Sequence, residues 1–265
     1  MATAEKPKPG DGTPYRLGGM GYHDASGRRL SYGSYLHVPE LLALQAGLTQ
    51  AHDELLFIVV HQAYELWFKV VIHELEAVRG AIDSDDLRAA RHYLNRVKVI
   101  EALLVEQVGV LETMAPQDFL TFRSELAPAS GFQSAQFREI EFLSGLKDAG
   151  YIKALDGEPH ARARLQRRLE EPSLLDVFTG LLDRRGVTIT NLYHHGDRDP
   201  DLLELAEALL DHDEGFRLWR LRHVQMVERQ IGDKPGTGGS TGVRYLQSTL
   251  GKRFFPELWE VRSQL

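Results

Sequence analysis

Apolar residues recur at three- and four-residue steps from Asp53 to about Arg79, at Leu56, Val59, Ala63, Leu66, Trp67, Val70 and Leu75. That period predicts one long helix. Its first turns, Leu55 to Val60, are apolar on every side, which predicts a buried end. A second stripe, Leu87, Ala90, Leu94, Val97, Leu104, Val108 and Leu111, follows the acidic caps of "DSDD" and predicts a helix reaching Met114. At 1.5 Å per residue it would span roughly 45 Å, which suits an elongated helical bundle. Pro116 opens a short helix, "PQDFLTFRSEL", that stops before Pro128, and "PASGFQS" reads as a loop. Further helices are expected over Gln136 to Lys147, from near Asp201, and from about Glu214 to Ile231, with mixed helical segments between Leu155 and Asp197. No segment alternates with period two between hairpin turns, so the predicted class is all-α. Residues 1–20, rich in Lys, Pro and Gly, are expected to be a disordered tail, and 21–265 a single helical domain.

Composition narrows the chemistry. The chain has no cysteine, which excludes disulfides, thiolate catalysis, Cys-ligated zinc and iron–sulfur clusters and leaves histidine and carboxylates as metal ligands. A formal charge of -7 argues against a nucleic-acid partner, because phosphate neutralisation wants a basic face. The start, "MATAEKPKPGDG", has no apolar signal region and no run reaches about 18 apolar residues, so no membrane segment is expected. The expected compartment is the cytoplasm, which lack of cysteine fits.

Two histidines interrupt apolar patterns. In "LWRLRHVQMVERQIG", Trp219, His223, Met226 and Val227 share one stripe with Phe216, so the imidazole faces the core. In "FIVVHQAYELWFK", His61 stands in an apolar helical run. Periodicity alone favours a core histidine satisfied by one hydrogen bond over a metal ligand at both positions. His73 lies near "HELE", which lacks the second histidine of a zinc helix, and His194 and His195 fall in the turn-rich "NLYHHGDRDP". "GDKPGTGGSTG" carries five glycines in eleven residues yet matches neither phosphate-loop template, and reads as a surface loop or as one whose backbone and Thr237 hydroxyl approach a ligand. Arg123, one turn after Phe119, is a snorkelling surface residue or a fork for a carboxylate.

Three stretches, "LFIVVHQAYELWFKVVIHELE", "ETMAPQDFLTFRSELAPASGFQSAQFREIE" and "LWRLRHVQMVERQIGDKPGTGGSTGVRYL", together resemble the tryptophan 2,3-dioxygenase family. The resemblance runs from about Leu30 to Tyr245. It implies a homotetramer of helical subunits with a haem pocket between helices, one haem b per subunit, and no membrane or nucleic-acid partner. It further implies that L-tryptophan and O2 are joined across the indole C2–C3 bond to give N-formyl-L-kynurenine, the first step of the kynurenine pathway. His223 matches the iron ligand and His61 the distal histidine that meets the indole N–H. Phe57 matches the ring flanking the indole, Arg123 the carboxylate clamp, and Thr237 the loop hydroxyl on the amino-acid group. Phe119 stands where some members carry a tyrosine. Tyr32 and Tyr35 match residues of an N-terminal segment that reaches a neighbouring pocket. Rival expectations are a paralogous haem oxygenase acting on another indole and a noncatalytic haem-binding protein. Arg123 and Thr237 favour an amino-acid substrate.

Overall fold

A computed structural model describes residues 27, 29–153, 155 and 157–265. The predicted tail, residues 1–20, lies outside them. Helices carry the fold and no strand occurs among the described residues, in agreement with the all-α reading. The chain divides into two compact units, Met1–Ala46 and Gly47–Leu265. In the first, α1 (Tyr32–Leu36) starts from a reciprocal Ser31–Ser34 capping box, and His37 in the left-handed region turns the chain into α2 (Val38–Leu42). Tyr32 and Tyr35 are 80 % and 69 % exposed.

The second unit is built on α3 (Glu54–Asp83), α4 (Leu87–Leu111) and α11 (Pro200–Ile231). The elements between and after them are α5 (Pro116–Phe122), α6 (Ala135–Ser144), α7 (Gly150–Lys153), α8 (Pro159–Glu170), α9 (Leu174–Arg185), α10 (Ile189–His194), α12 (Val243–Ser248) and α13 (Pro256–Glu260). Helix α4 packs on both α3 and α11, while α3 also meets α6 and α9. The predicted stripe of α4 is its buried face: Leu87, Ala90, Leu94, Val97, Leu104, Val108 and Leu111 are all in the core. Although no long run in α3 is wholly apolar, the helix is long and apolar enough to cross a bilayer, with mean hydropathy 1.6 over its most apolar window. Its packed neighbours cover only part of that apolar surface, 28 % of the window being buried.

Several expectations need correction. The first turns of α3 are not buried all round, because Leu55 and Val59 are 55 % and 45 % exposed, as is Leu66 farther along at 52 %. The helices expected near Asp201 and from Glu214 are one continuous α11 of 32 residues. In the polar "HDEG" between them, His212 and Asp213 are buried and used inward. His212 joins Glu101 through Nδ1 at 2.7 Å and Ser144 through Nε2 at 2.9 Å. Asp213 accepts from the backbone N–H groups of Phe254 and Phe255 and from the Trp259 indole. Gly215 is where α4 comes closest: a Cβ there would lie 2.6 Å from a Glu101 carboxylate oxygen. Helix α6 ends at Ser144, short of Lys147, because Gly145 takes φ 132° against Leu175. Helix α4 ends at Leu111, where Gln230 of α11 donates to the carbonyls of Leu111 and Met114. "PASGFQS" contains a 3₁₀ turn, Gly131–Gln133, fixed by a Ser130–Gln133 capping box.

The start of α3 is held by Glu54, whose carboxylate accepts from the Thr49 hydroxyl and the N–H groups of Leu48 and Thr49. The Thr49 hydroxyl, with those backbone donors, holds its pKa below the ordinary 4.5. A carboxylate depressed in the folded state stabilises above its unfolded pKa and loses that contribution as pH falls. Glu54→Gln should therefore melt below the parent protein at pH 7, with the gap closing as the pH drops under 4.5. An equal gap in melts at pH 7 and pH 3 would count against this assignment.

Candidate active site

One cavity in the second unit is lined from α3, α5, α6, α11 and the loops after Leu126 and Ile231. Phe57, His61, Phe119, Arg123, His223 and Thr237 all lie on its wall. Helix α3 delivers Phe57 and His61 one turn apart, with ring centroids 4.0 Å apart. Phe119 of α5 stacks on Phe57 at 5.6 Å, and Phe122 meets both edge-on. Helix α11 delivers His223. His73, His194 and His195 are exposed, and lie away from the cavity wall.

The Nδ1 of His61 is 2.7 Å from the Phe57 carbonyl, which can only accept, so Nδ1 carries the proton. Its Nε2 is then left as an acceptor. Burial lowers the His61 pKa, outweighing the Phe57 carbonyl and Glu65, which pull it upward. Burial likewise pushes His223 down to about 4, with nearby His61 adding to the effect. Both imidazoles are neutral at physiological pH.

The polar end of the cavity carries more cation than anion. Arg138 and Arg220 are buried, and both pair with Glu141, at 2.7 Å each. Among the described residues the Nε of each guanidinium has no partner. Arg138 also sits 3.7 Å over the Tyr151 ring, and Tyr245, whose pKa burial raises to about 12, bonds the Tyr151 hydroxyl at 3.1 Å. Arg123 donates to the Pro235 carbonyl, and no carboxylate pairs with it among the described residues. The Thr237 hydroxyl donates to the Ala129 carbonyl at 2.6 Å. These two bonds draw the glycine loop against the segment after α5.

The family model for tryptophan 2,3-dioxygenase matches residues 19–186 and 182–265. The chain belongs to the tryptophan 2,3-dioxygenase family. A protein of that name from a Nocardioides species is 50 % identical over 256 residues, covering 90 % of this chain and 96 % of its own. Those of Caulobacter vibrioides and Herpetosiphon aurantiacus are 43 % and 44 % identical, each covering 89 % of this chain and 98 % of their own.

Tyr32 and Tyr35 belong to the first unit and are not among the residues lining this cavity. Other wall residues of this dioxygenase-family chain escaped the sequence reading. Tyr64 and Phe68 follow His61 by one and two turns on the same face, a signal that could have found them. Arg138, Glu141 and Arg220 carry no such signal, because a charged residue on a helix ordinarily reads as solvent-facing.

The glycine loop is shaped by backbone as well as by Thr237. Gly242 adopts φ 63°, and a Cβ there would collide with the Lys234 carbonyl. Gly242→Ala should open the loop, so that subtilisin cuts between Gly232 and Gly242 faster than in the parent protein while α3 and α11 stay protected. Unchanged cleavage rates would show that the loop tolerates the side chain.

Proposed function

We propose that this chain is a haem-dependent dioxygenase that adds both atoms of O2 across the indole C2–C3 bond of L-tryptophan, yielding N-formyl-L-kynurenine, the entry step of the kynurenine pathway. The observation that carries the site reading is the pair of half-buried, neutral imidazoles, one on α3 and one on α11, at a single aromatic-walled cavity.

The residues fit haem. No group of three or more His, Asp or Glu side chains able to hold a bare ion occurs among the described residues. An iron held here would bring most of its donors with it, as a porphyrin supplies them, and would need an imidazole from the protein. His223 is that ligand in our reading, neutral and so free to donate its lone pair. The aromatic walls suit the flat macrocycle. The cation excess of Arg138 and Arg220 over Glu141 suits its two carboxylates.

When bound, haem supplies the oxygen chemistry. The chain's own residues orient the substrate and keep water out. His61 accepts the indole N–H at Nε2, the nitrogen its bond to Phe57 leaves free. Phe57 and Phe119 face the indole ring. Arg123 has donors to spare beyond the one on Pro235 and clamps the carboxylate, while Thr237 meets the amino-acid end. In this reading the Phe119 ring offers no phenol, so the carboxylate lacks the one hydrogen bond that a tyrosine there would add and rests on the guanidinium.

The assembly we propose is a homotetramer in which the segment bearing Tyr32 and Tyr35 reaches a neighbour's pocket. Its support is the exposed apolar row Leu55, Val59 and Leu66 on α3 and a second, Val99, Leu103 and Val110, on α4. Rows of this kind are unusual on a lone subunit.

His223→Ala should lose haem and turnover together, whereas His61→Ala should keep haem and part of the activity. Absorbance of the purified holoprotein and product formation read both, and a His223→Ala protein that retains haem and turns over would remove the iron ligand from this scheme. A charged bidentate contact of about 1.5–3 kcal/mol corresponds to roughly 10- to 150-fold. Arg123→Ala should lower kcat/KM for L-tryptophan by that factor and leave tryptamine binding little changed. Equal losses for the two would rule out a carboxylate clamp.

A further inference from the structure

Ligating imidazoles almost always donate their second ring N–H to a carbonyl or carboxylate, and that bond sets the plane of the ring. His61, not proposed as a ligand, has such a bond to the Phe57 carbonyl. His223 has none: among the described residues no protein group hydrogen-bonds its imidazole. What it has is an indole. Trp219, one turn earlier on α11, lies parallel to it with centroids 5.0 Å apart and planes 8° from each other. The indole is itself wedged in place, edge-on to Tyr64 at 5.9 Å and to Phe68 at 6.2 Å and tilted on Phe137 at 5.2 Å. Tyr64 is anchored in turn, its hydroxyl donating to the Leu104 carbonyl of α4 at 2.9 Å.

We propose that Trp219 is a positioning residue for the proximal side: its indole face fixes the rotation of the His223 imidazole, in the place where other haem ligands use a hydrogen-bond acceptor. The inference rests on the reading that His223 holds the haem iron. A flat surface can restrain the rotation of a flat ring, while an aliphatic side chain of similar bulk fills the space and leaves the torsion free. A stacked aromatic pair is worth enough to change an equilibrium or a rate by about 2- to 12-fold.

The test uses the haem-loaded, ferrous protein with Trp219→Leu and Trp219→Phe. Two quantities are read: the iron–imidazole stretching band in the resonance Raman spectrum, and the rate of haem transfer to apomyoglobin. Trp219→Leu should shift or broaden the band and release haem about 2- to 12-fold faster. Trp219→Phe, which keeps a flat face, should stay near the parent in both. A Leu variant with an unchanged band and transfer rate overturns the proposal. So does a Phe variant as impaired as the Leu one, because flatness would then not be the property that matters. Should the Leu variant fail to melt cooperatively, a crystal structure of the unaltered haem-loaded protein decides the matter. Parallel rings and no protein acceptor on the His223 N–H support the role, and an N–H bonded to a protein carbonyl or carboxylate refutes it. Absence of any iron–imidazole band in the parent protein would instead overturn the haem reading itself.

Discussion

The geometry of the cavity depends on α4, which contributes little to its wall but fixes the distance between the helices that do. Helix α3 brings His61 and α11 brings His223, and each is tied to α4 by polar bonds set into apolar stripes. On one side Tyr64 donates to the Leu104 carbonyl and Gln107 to the Val60 carbonyl. On the other, Glu101 takes His212, and Gln230 donates to the carbonyl of Leu111, the last residue of α4, and to that of Met114 just beyond it. Hydrophobic burial supplies the larger energy, at about 1.5–3 kcal/mol for each fully buried large side chain. Burial alone is indifferent to a slide along the helix axis. The directional bonds fix the register, and register decides whether the two imidazoles share a cavity.

Neutrality of those imidazoles is a consequence of the same packing. Desolvation is the largest influence on both, and it lowers both pKa values. The cost of desolvating charge appears elsewhere in the unit, where Arg138, Arg220 and Glu141 are buried together. A buried cluster with an unmatched charge is strongly unfavourable, and removing one partner typically costs about 3–5 kcal/mol. Two cations on one carboxylate therefore suit the edge of a cavity whose proposed ligand brings anionic groups. Glu101 carries the same cost in the core: burial raises its pKa against the pull of His212.

Much of this was legible in the chain, and the parts that were not share a cause. Period 3.6 located α3, α4 and the second half of α11, because those faces are apolar and continuous. It failed at "HDEG", since His212 and Asp213 are polar residues satisfied inside the core and Gly215 marks a close helix contact, where composition suggests a break. It also overstated the burial of Leu55 and Val59, because an apolar residue facing outward has the same letter as one facing inward. The same limit hides the cationic edge of the cavity. Phe57 and His61 could be placed by spacing from each other, and Trp219 from His223, but pairing Arg138 with Arg220 requires α6 and α11 to meet, and no local period records that. The proposed roles of single side chains came from resemblance of whole motifs, and the structure supplies the physical terms in which those roles can be tested.

The function of His61 turns on a comparison of magnitudes. A general base in a proton-transfer step contributes about 10²- to 10⁴-fold and works best with a pKa near the operating pH. His61 moves away from that range, because burial lowers it and its Nδ1 proton is committed to the Phe57 carbonyl. A neutral hydrogen bond contributes about 0.5–1.5 kcal/mol, or roughly 2- to 13-fold, and demands only an oriented lone pair. Nε2 offers that. The local geometry therefore favours a residue that aligns the indole over one that removes its proton, and it makes the aromatic walls and the α4 spacer, which keep the ring dry and in register, as necessary to the site as the imidazole itself.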